Sequence, residues 1–467
     1  MHGIFGRKTF GRGIRHVAAA AALTTMLSGA AVAETLAAAM TSAYNHSGLL
    51  EQNRAVLRAA DEDVAIAMSA LRPTLGWTAD VQRSYSRTGV NRSGATSNSL
   101  ALTASYTLLD FGQSMLGVEV AKETVLATRE GLIAIEQEVL FRAASAFLNV
   151  RQTEAIVNLR QNNVRVITTE LRAARDRFEV GEVTRTDVAL AEASLASARS
   201  ALAGAQGDLE IARAEYTAVV GHKPGRLTAP GSLPRLPSQA EGQQVALRLH
   251  PSLRQVQHQI LAFELGIKRA EAAMKPTVSL TGRLSADDWG DGSVTAGRSI
   301  TLGAKGPIYQ GGRLSAEVRK AMAQRDQARG NLHSTRNAIT QDVTNAYATL
   351  AVAIASIEAS ERQVRAAQVA FNGVREEASL GARTTFDVLE AEQDLLDARA
   401  TLITATINRQ IAAYQVLAAL GMLTADQLQL DIVRYDPTEY YNLVKSAPVP
   451  SSRQGKQLDR VLERLQR

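Results

Sequence analysis

Residues 381–393, "GARTTFDVLEAEQ", write a second time what residues 181–193, "GEVTRTDVALAEA", write first. Gly, Asp-Val and Ala-Glu recur 200 positions apart. The repetition continues along the chain. "RPTLGWTADV" (72–81) matches "KPTVSLTGRL" (275–284), "YTLLDFGQ" (106–113) lies opposite "GPIYQGGR" (306–313), and "SAFLNV" (145–150) aligns with "NAYATL" (345–350). An apolar run ends on Gly221 in one half and on Gly421 in the other. Length alone would divide 467 residues into two or three ordinary domains. A duplication this extensive calls instead for one architecture built twice.

Proline marks where that architecture can run uninterrupted. None occurs between Pro73 and Pro224 or between Pro307 and Pro437, which leaves room for very long helices. Within the second span Ile339, Val343, Ala346, Leu350, Ala353, Ile357, Val364, Ala367 and Phe371 step by three and four, broken only at Ser360. The first half answers with Val139, Ala143, Ala146, Val150, Thr153, Val157, Val164, Ile167 and Leu171, broken at Arg160. A period near 3.5 held over several heptads predicts coiled-coil packing. A helix from Gly112 to Gly181 would reach about 100 Å, a length suited to crossing a gap.

Between the helices the period changes to two. Leu75, Trp77, Ala79 and Val81 alternate with small polar residues, as do Leu100, Leu102, Ala104, Tyr106 and Leu108. Residues 277–285 and 299–308 repeat the pattern with Val278, Leu280, Leu284, Ile300, Leu302, Ala304 and Ile308. Polar tips are expected at 87–98 and 287–295. Such hairpins could cap a soluble helical body, or they could be transmembrane strands with an apolar lipid face and a small-polar lumen face. Four strands cannot close a barrel, and an open edge in lipid leaves backbone groups unpaired at several kcal/mol each. The membrane reading therefore requires several chains to share one barrel.

The first 33 residues read as a secretory leader: Arg7, Lys8, Arg12 and Arg15, then "VAAAAALTTMLSGAAVA" with Ala31-Val32-Ala33 as cleavage site. An N-terminal membrane anchor is the alternative. Removing the leader's four basic residues lowers the formal charge from +6 to +2, which removes the footing for a nucleic-acid partner. With no cysteine, disulfides, thiol catalysis and a lipoprotein anchor are excluded. The seven histidines are scattered, and no phosphate loop or nucleophile elbow occurs. No cofactor, metal or catalytic residue is expected, and the chain does not read as an enzyme.

The domain plan is thus a leader (1–33), a first repeat (34–223, hairpin about 73–110), a Pro-rich linker (224–239), a second repeat (240–432, hairpin about 276–309) and a C-terminal extension (433–467). The extension is either a short amphipathic helix or disordered. The fold class is mainly α with a small β part.

From about residue 35 to 432 the chain resembles the TolC-type outer-membrane efflux proteins. "GPIYQGGR" and "LLDFGQ" after the strands, "HPSL" (250–253) and "LGARTTFDVLEAEQDLLDAR" (380–399) carry the resemblance. It implies a homotrimer in which each subunit gives four strands to a shared twelve-strand outer-membrane β-barrel, continued by an α-helical periplasmic tunnel. It also implies docking of a periplasmic adaptor (membrane fusion) protein and an inner-membrane pump, such as an ABC or RND transporter. The function implied is a passive exit duct for drugs, proteins or both. A trimeric coiled-coil structural or adhesive protein anchored in the outer membrane is the competing reading.

The resemblance maps an acidic pore ring onto Asp387 and Glu390, and the closing arginine onto Arg383 with Thr186 and Asp187 as first-repeat partners. The best-known members carry tyrosine five positions before that arginine, where this chain has Ala378. Independently, Thr184-x-x-Asp187 and Thr384-x-x-Asp387 fit a capping box, so the aspartates also have a purely structural role open to them. Glu390 has no such role, because its repeat partner is Leu190.

Overall fold

The computed structural model describes residues 33–88, 91–288 and 293–465. The leader, apart from Ala33, and the outermost residues of both β-tips lie outside the described residues. The order is α1 (Leu36–His46), α2 (Gly48–Ser69), β1 (Thr74–Thr88), β2 (Asn91–Leu109), α3 (Gln113–Glu179), α4 (Arg185–Val220), then α5 (Gln239–Leu249), α6 (Pro251–Ala272), β3 (Thr277–Asp288), β4 (Val294–Lys305), α7 (Arg313–Ser379) and α8 (Thr385–Ala419). Two short helices come after these, α9 (Pro437–Val444) and α10 (Arg453–Leu465). The second set of six retraces the first.

Helices α3 and α7 each have 67 residues, so each runs about 100 Å. Each starts after a glycine in the left-handed region, Gly112 at φ 84° and Gly312 at φ 81°. The residues that step by three and four in the sequence include those turned fully inward: Ala143 in the first repeat and Val343, its equivalent in the second, are both completely buried. Ser360, where the apolar pattern breaks, is buried too. Helix α3 packs along α4, and α7 along α8, forming two helical hairpins, while α3 also contacts α6 and α8. No described helix is long and apolar enough to cross a membrane.

The core is thickest midway along α3, where the C-terminal parts of α4 and α8 pack against it. Leu36 and Met40 of α1 meet Leu140, Phe147 and Leu148 of α3, Leu209 and Tyr216 of α4, and Leu423 and Leu430 of the chain after α8. The Pro-rich stretch is held against this girdle. Leu227 is buried, Glu34 N–H donates to the Arg226 carbonyl at 2.8 Å, and Tyr347 Oη donates to the Pro237 carbonyl at 2.7 Å.

The strands form one antiparallel sheet in the order β1-β2-β3-β4. Its register stacks the apolar positions on one face: Trp77 opposite Leu102, Leu102 opposite Leu284, and Leu280 opposite Leu302. Thr78, Thr103, Ser279 and Thr301 lie on the other face, as period-two alternation requires. The apolar face is uncovered, with Trp77 73% and Ile300 83% exposed. Both edges, β1 and β4, lack a partner among the described residues.

The strands depart from their sequence-based bounds at both ends. β1 runs on to Thr88 and β2 resumes at Asn91, inside the stretch read as a polar tip. β4 spans Val294–Lys305, earlier than expected, and leaves Ile308 outside the sheet. Gly306 and Pro307 account for that stop, since proline has no N–H to give the ladder. The C-terminal stretch holds two helices. Tyr440 Oη donates to Glu62 Oε1 at 2.7 Å, and the Arg129 guanidinium lies over the Tyr441 ring at 5.3 Å.

Candidate functional site at the helical tips

The tips of the two helical hairpins are built alike. Glu182 N–H donates to the Arg177 carbonyl and Ala382 N–H to the Glu377 carbonyl, each at 2.9 Å. Gly181 (φ 80°) and Gly381 (φ 78°) supply the left-handed residue that this helix ending needs. The next helix then starts on a capping box. Asp387 N–H donates to Thr384 Oγ1 at 3.2 Å, and Asp387 Oδ2 accepts from Thr384 N–H and Oγ1–H, both at 2.8 Å. Thr184 and Asp187 repeat this within about 0.1 Å. The cap reading of the two aspartates is therefore realised.

Capping also fixes their charge. The Thr384 N–H, followed by its hydroxyl, holds the Asp387 carboxyl below the usual carboxylate range. At Asp187 the Thr184 hydroxyl comes first and the backbone second, with the same direction. Both remain ionised in moderately acidic surroundings.

The two tips border one cleft, lined by Glu182, Thr184 and Asp187 from the first and by Ala378, Arg383 and Thr385 from the second. Arg383 Nε donates to Glu377 Oε2 at 2.9 Å. Within the subunit Arg383 makes no hydrogen bond to Thr186 or Asp187, although Asp187 and Arg383 both line the cleft. Thr186 is exposed. Glu390 is exposed as well, while the residues just before it are clamped. Leu389 packs with Ile167, Leu171 and Leu195 of the first hairpin, and Val388 packs with Phe371 and Leu395 of the second.

Two features of the site leave no spacing signal in the sequence. The first is Glu377 as the partner of Arg383. The second is a polar seam joining α3 to the second hairpin. Asn163 Nδ2 donates to Glu392 Oε1 at 3.5 Å, Arg375 Nε lies 3.8 Å from Glu170 Oε1, and Gln152 Nε2 donates to Thr404 Oγ1 at 3.2 Å. Glu392 and Glu170 are buried. Burial pushes the Glu392 carboxyl up, the Asn163 amide and Arg399 oppose this, and Glu170 adds to it.

Comparison with known proteins agrees with this geometry. The family model described as "Outer membrane efflux protein" matches residues 39–222 and 243–422, one match per repeat. The outer membrane efflux protein BepC of Brucella suis biovar 1 (strain 1330) is 39% identical over 440 residues, covering 92% of this chain and 95% of that protein. The outer membrane protein TolC of Escherichia coli (strain K12) is 28% identical, covering 79% and 80%. The crystal structure of the Campylobacter jejuni CmeC outer membrane channel shares the fold, with a TM-score of 0.74 at 17% identity over 89% of this chain and 90% of that one. Duplicated helical hairpins, an uncovered four-stranded sheet and a family match over both repeats lead to one conclusion: the chain belongs to the outer membrane efflux protein family.

Proposed function

We propose that the protein is the outer-membrane exit duct of a tripartite efflux or type I secretion assembly. Three copies join β1 and β4 edges into one twelve-stranded barrel, and the helical hairpins continue it across the periplasm. The observation that carries this reading is the sheet itself: one face apolar and exposed, the other small and polar, both edges unpartnered among the described residues. In lipid those edges must be paired.

The duct is passive. A periplasmic adaptor meets the helical tips, an inner-membrane pump supplies the energy, and drugs, proteins or both are the cargo. Asp387 and Glu390 of three subunits ring the constriction with six carboxylates. Such a ring draws cations and repels anions. Arg383 helps to hold the tips closed, with Glu377 as its partner in one subunit and Thr186 and Asp187 as partners offered by the adjoining tip.

Single-channel recording in planar bilayers tests this. The native protein is expected to conduct as a cation-selective trimer, and the D387A/E390A variant to lose most of that selectivity. Unchanged selectivity in the variant removes the ring. Light scattering of the detergent-solubilised protein at any mass other than three chains removes the shared barrel.

A further inference from the structure

After Leu430 the chain climbs the groove between α2 and α3 toward the sheet. Tyr435 packs with Leu57 and Val64, and the Arg54 guanidinium lies over its ring at 5.2 Å. At the upper end Arg72, two residues before β1, donates through Nη1 to the Ala447 carbonyl at 2.7 Å and through Nη2 to the Ser446 carbonyl. Helix α10 is therefore tethered at the junction of helices and sheet. Leu458 and Leu462 seat it in a cluster with Ala65, Tyr440 and Val444.

The other side of α10 is rich in charge. Arg453, Lys456, Gln457 and Arg460 lie together on the exposed side by their helical spacing, with Asp459 and Glu463 along one border of that side. None of the three cations is in an ion pair among the described residues. Residues 445–467 hold six basic and two acidic residues, whereas residues 34–444 hold two more acidic than basic. The positive charge of the exported chain is thus concentrated in this segment. Arg72, which holds the start of this segment, lies three residues before Leu75, where the exposed apolar band of the sheet begins.

We propose that α10 is a membrane-surface helix, resting on the anionic phospholipid headgroups of the leaflet that faces the helical body. Arg453, Lys456 and Arg460 meet the headgroups, and α9 holds the helix in place. The inference rests on the reading that the sheet spans the membrane. One short basic helix binds a bilayer only weakly by itself, and its tether to the channel removes that limit. The segment steadies the channel against tilting in the bilayer plane.

The chain has no cysteine, so single labels can be placed cleanly. Full-length protein carrying a fluorophore at Gln457→Cys or at Leu100→Cys is placed in nanodiscs of phosphatidylcholine with or without phosphatidylglycerol. Headgroup-spin-labelled lipid serves as quencher for the first site and chain-labelled lipid for the second. Quenching at 457 is expected in anionic discs, and R453E/K456E/R460E should reduce it about tenfold or more, since each basic group contributes severalfold at such a surface. A label at 457 that stays unquenched in anionic discs, or quenching indifferent to charge reversal, overturns the proposal while quenching at 100 upholds the spanning sheet. Absence of quenching at 100 sinks the spanning sheet itself, and this proposal with it.

Discussion

Arg375 and Glu170 face each other across the seam between the two helical hairpins, 3.8 Å apart, although the repeat equivalent of Arg375 does something else. Arg175 pairs with Glu192 inside the first hairpin at 2.5 Å. The second copies of that pair, Arg375 and Glu392, have both turned to partners on α3. The two hairpins share one plan, and this re-pairing adds polar contacts to the apolar packing that joins them.

Arg175→Ala should therefore be quiet, costing about 0.2–1 kcal/mol as an exposed pair does. Arg375→Ala strips a counter-charge from buried Glu170 and loosens the seam. A loss of about 1 kcal/mol there would raise the open-to-closed ratio roughly fivefold in single-channel recordings. Equal gating in the two variants would deny the seam any part in closure.

Asp61 gives a pH dependence with a definite sign. It is fully buried, neither carboxylate oxygen has a hydrogen-bond partner, and burial pushes its pKa up to about 6 from 3.8, with Arg129 opposing and Glu62 adding. The folded state holds this proton more tightly than the unfolded chain, so stability falls as pH rises from 3.8 to about 6 and stays lowered above. Asp61→Asn should stabilise the protein by up to about 3 kcal/mol at pH above that window. Thermal melts should show the gain disappearing at pH below it. A gain independent of pH would point to packing and not to charge.

Glycine substitutions should rank by what surrounds them. At Gly381 (φ 78°) an added Cβ meets nothing within 4 Å, so Ala costs only the left-handed backbone, about 1–2 kcal/mol. At Gly421 (φ 73°) the Cβ would also stand 3.0 Å from His250 Cα and Pro251 Cδ. Denaturant titration should find Gly421→Ala the more costly of the two.

Thr384→Ala removes a helix cap, at about 0.5–2 kcal/mol. It also deprives Asp387 of the hydroxyl bond that helps hold its carboxyl low, so that carboxyl should protonate at higher pH than in the native protein. Reversal potentials measured down a pH series should lose cation selectivity earlier in the variant. Identical curves would separate Asp387 from the pore.

Features that repeat or alternate were legible from residues alone. The 200-residue offset, the period-two strands and Thr-x-x-Asp each reflect a local rule that acts within one element. The outer ends of β1 and β2 were hidden because Arg83, Thr96 and Asn98 interrupt the apolar face there, yet the ladder continues past the apolar band. The Glu170–Arg375 contact was hidden for another reason. It joins elements 200 residues apart, and nothing in the spacing of either hairpin distinguishes a glutamate that stays home from one that crosses.

The equal lengths of α3 and α7 restrict how such a chain can change. Each residue inserted in a helix turns the rest of that helix by about 100° and lifts it about 1.5 Å. An insertion in α3 alone would rotate Asn163 and Glu170 away from Glu392 and Arg375 and leave the two tips at different depths. Reach can be altered only by whole heptads added to both long helices and to both returning ones together. The span this protein can bridge is thus open to change in coarse steps of about 10 Å, and any gap it serves must be met to that granularity by its partners.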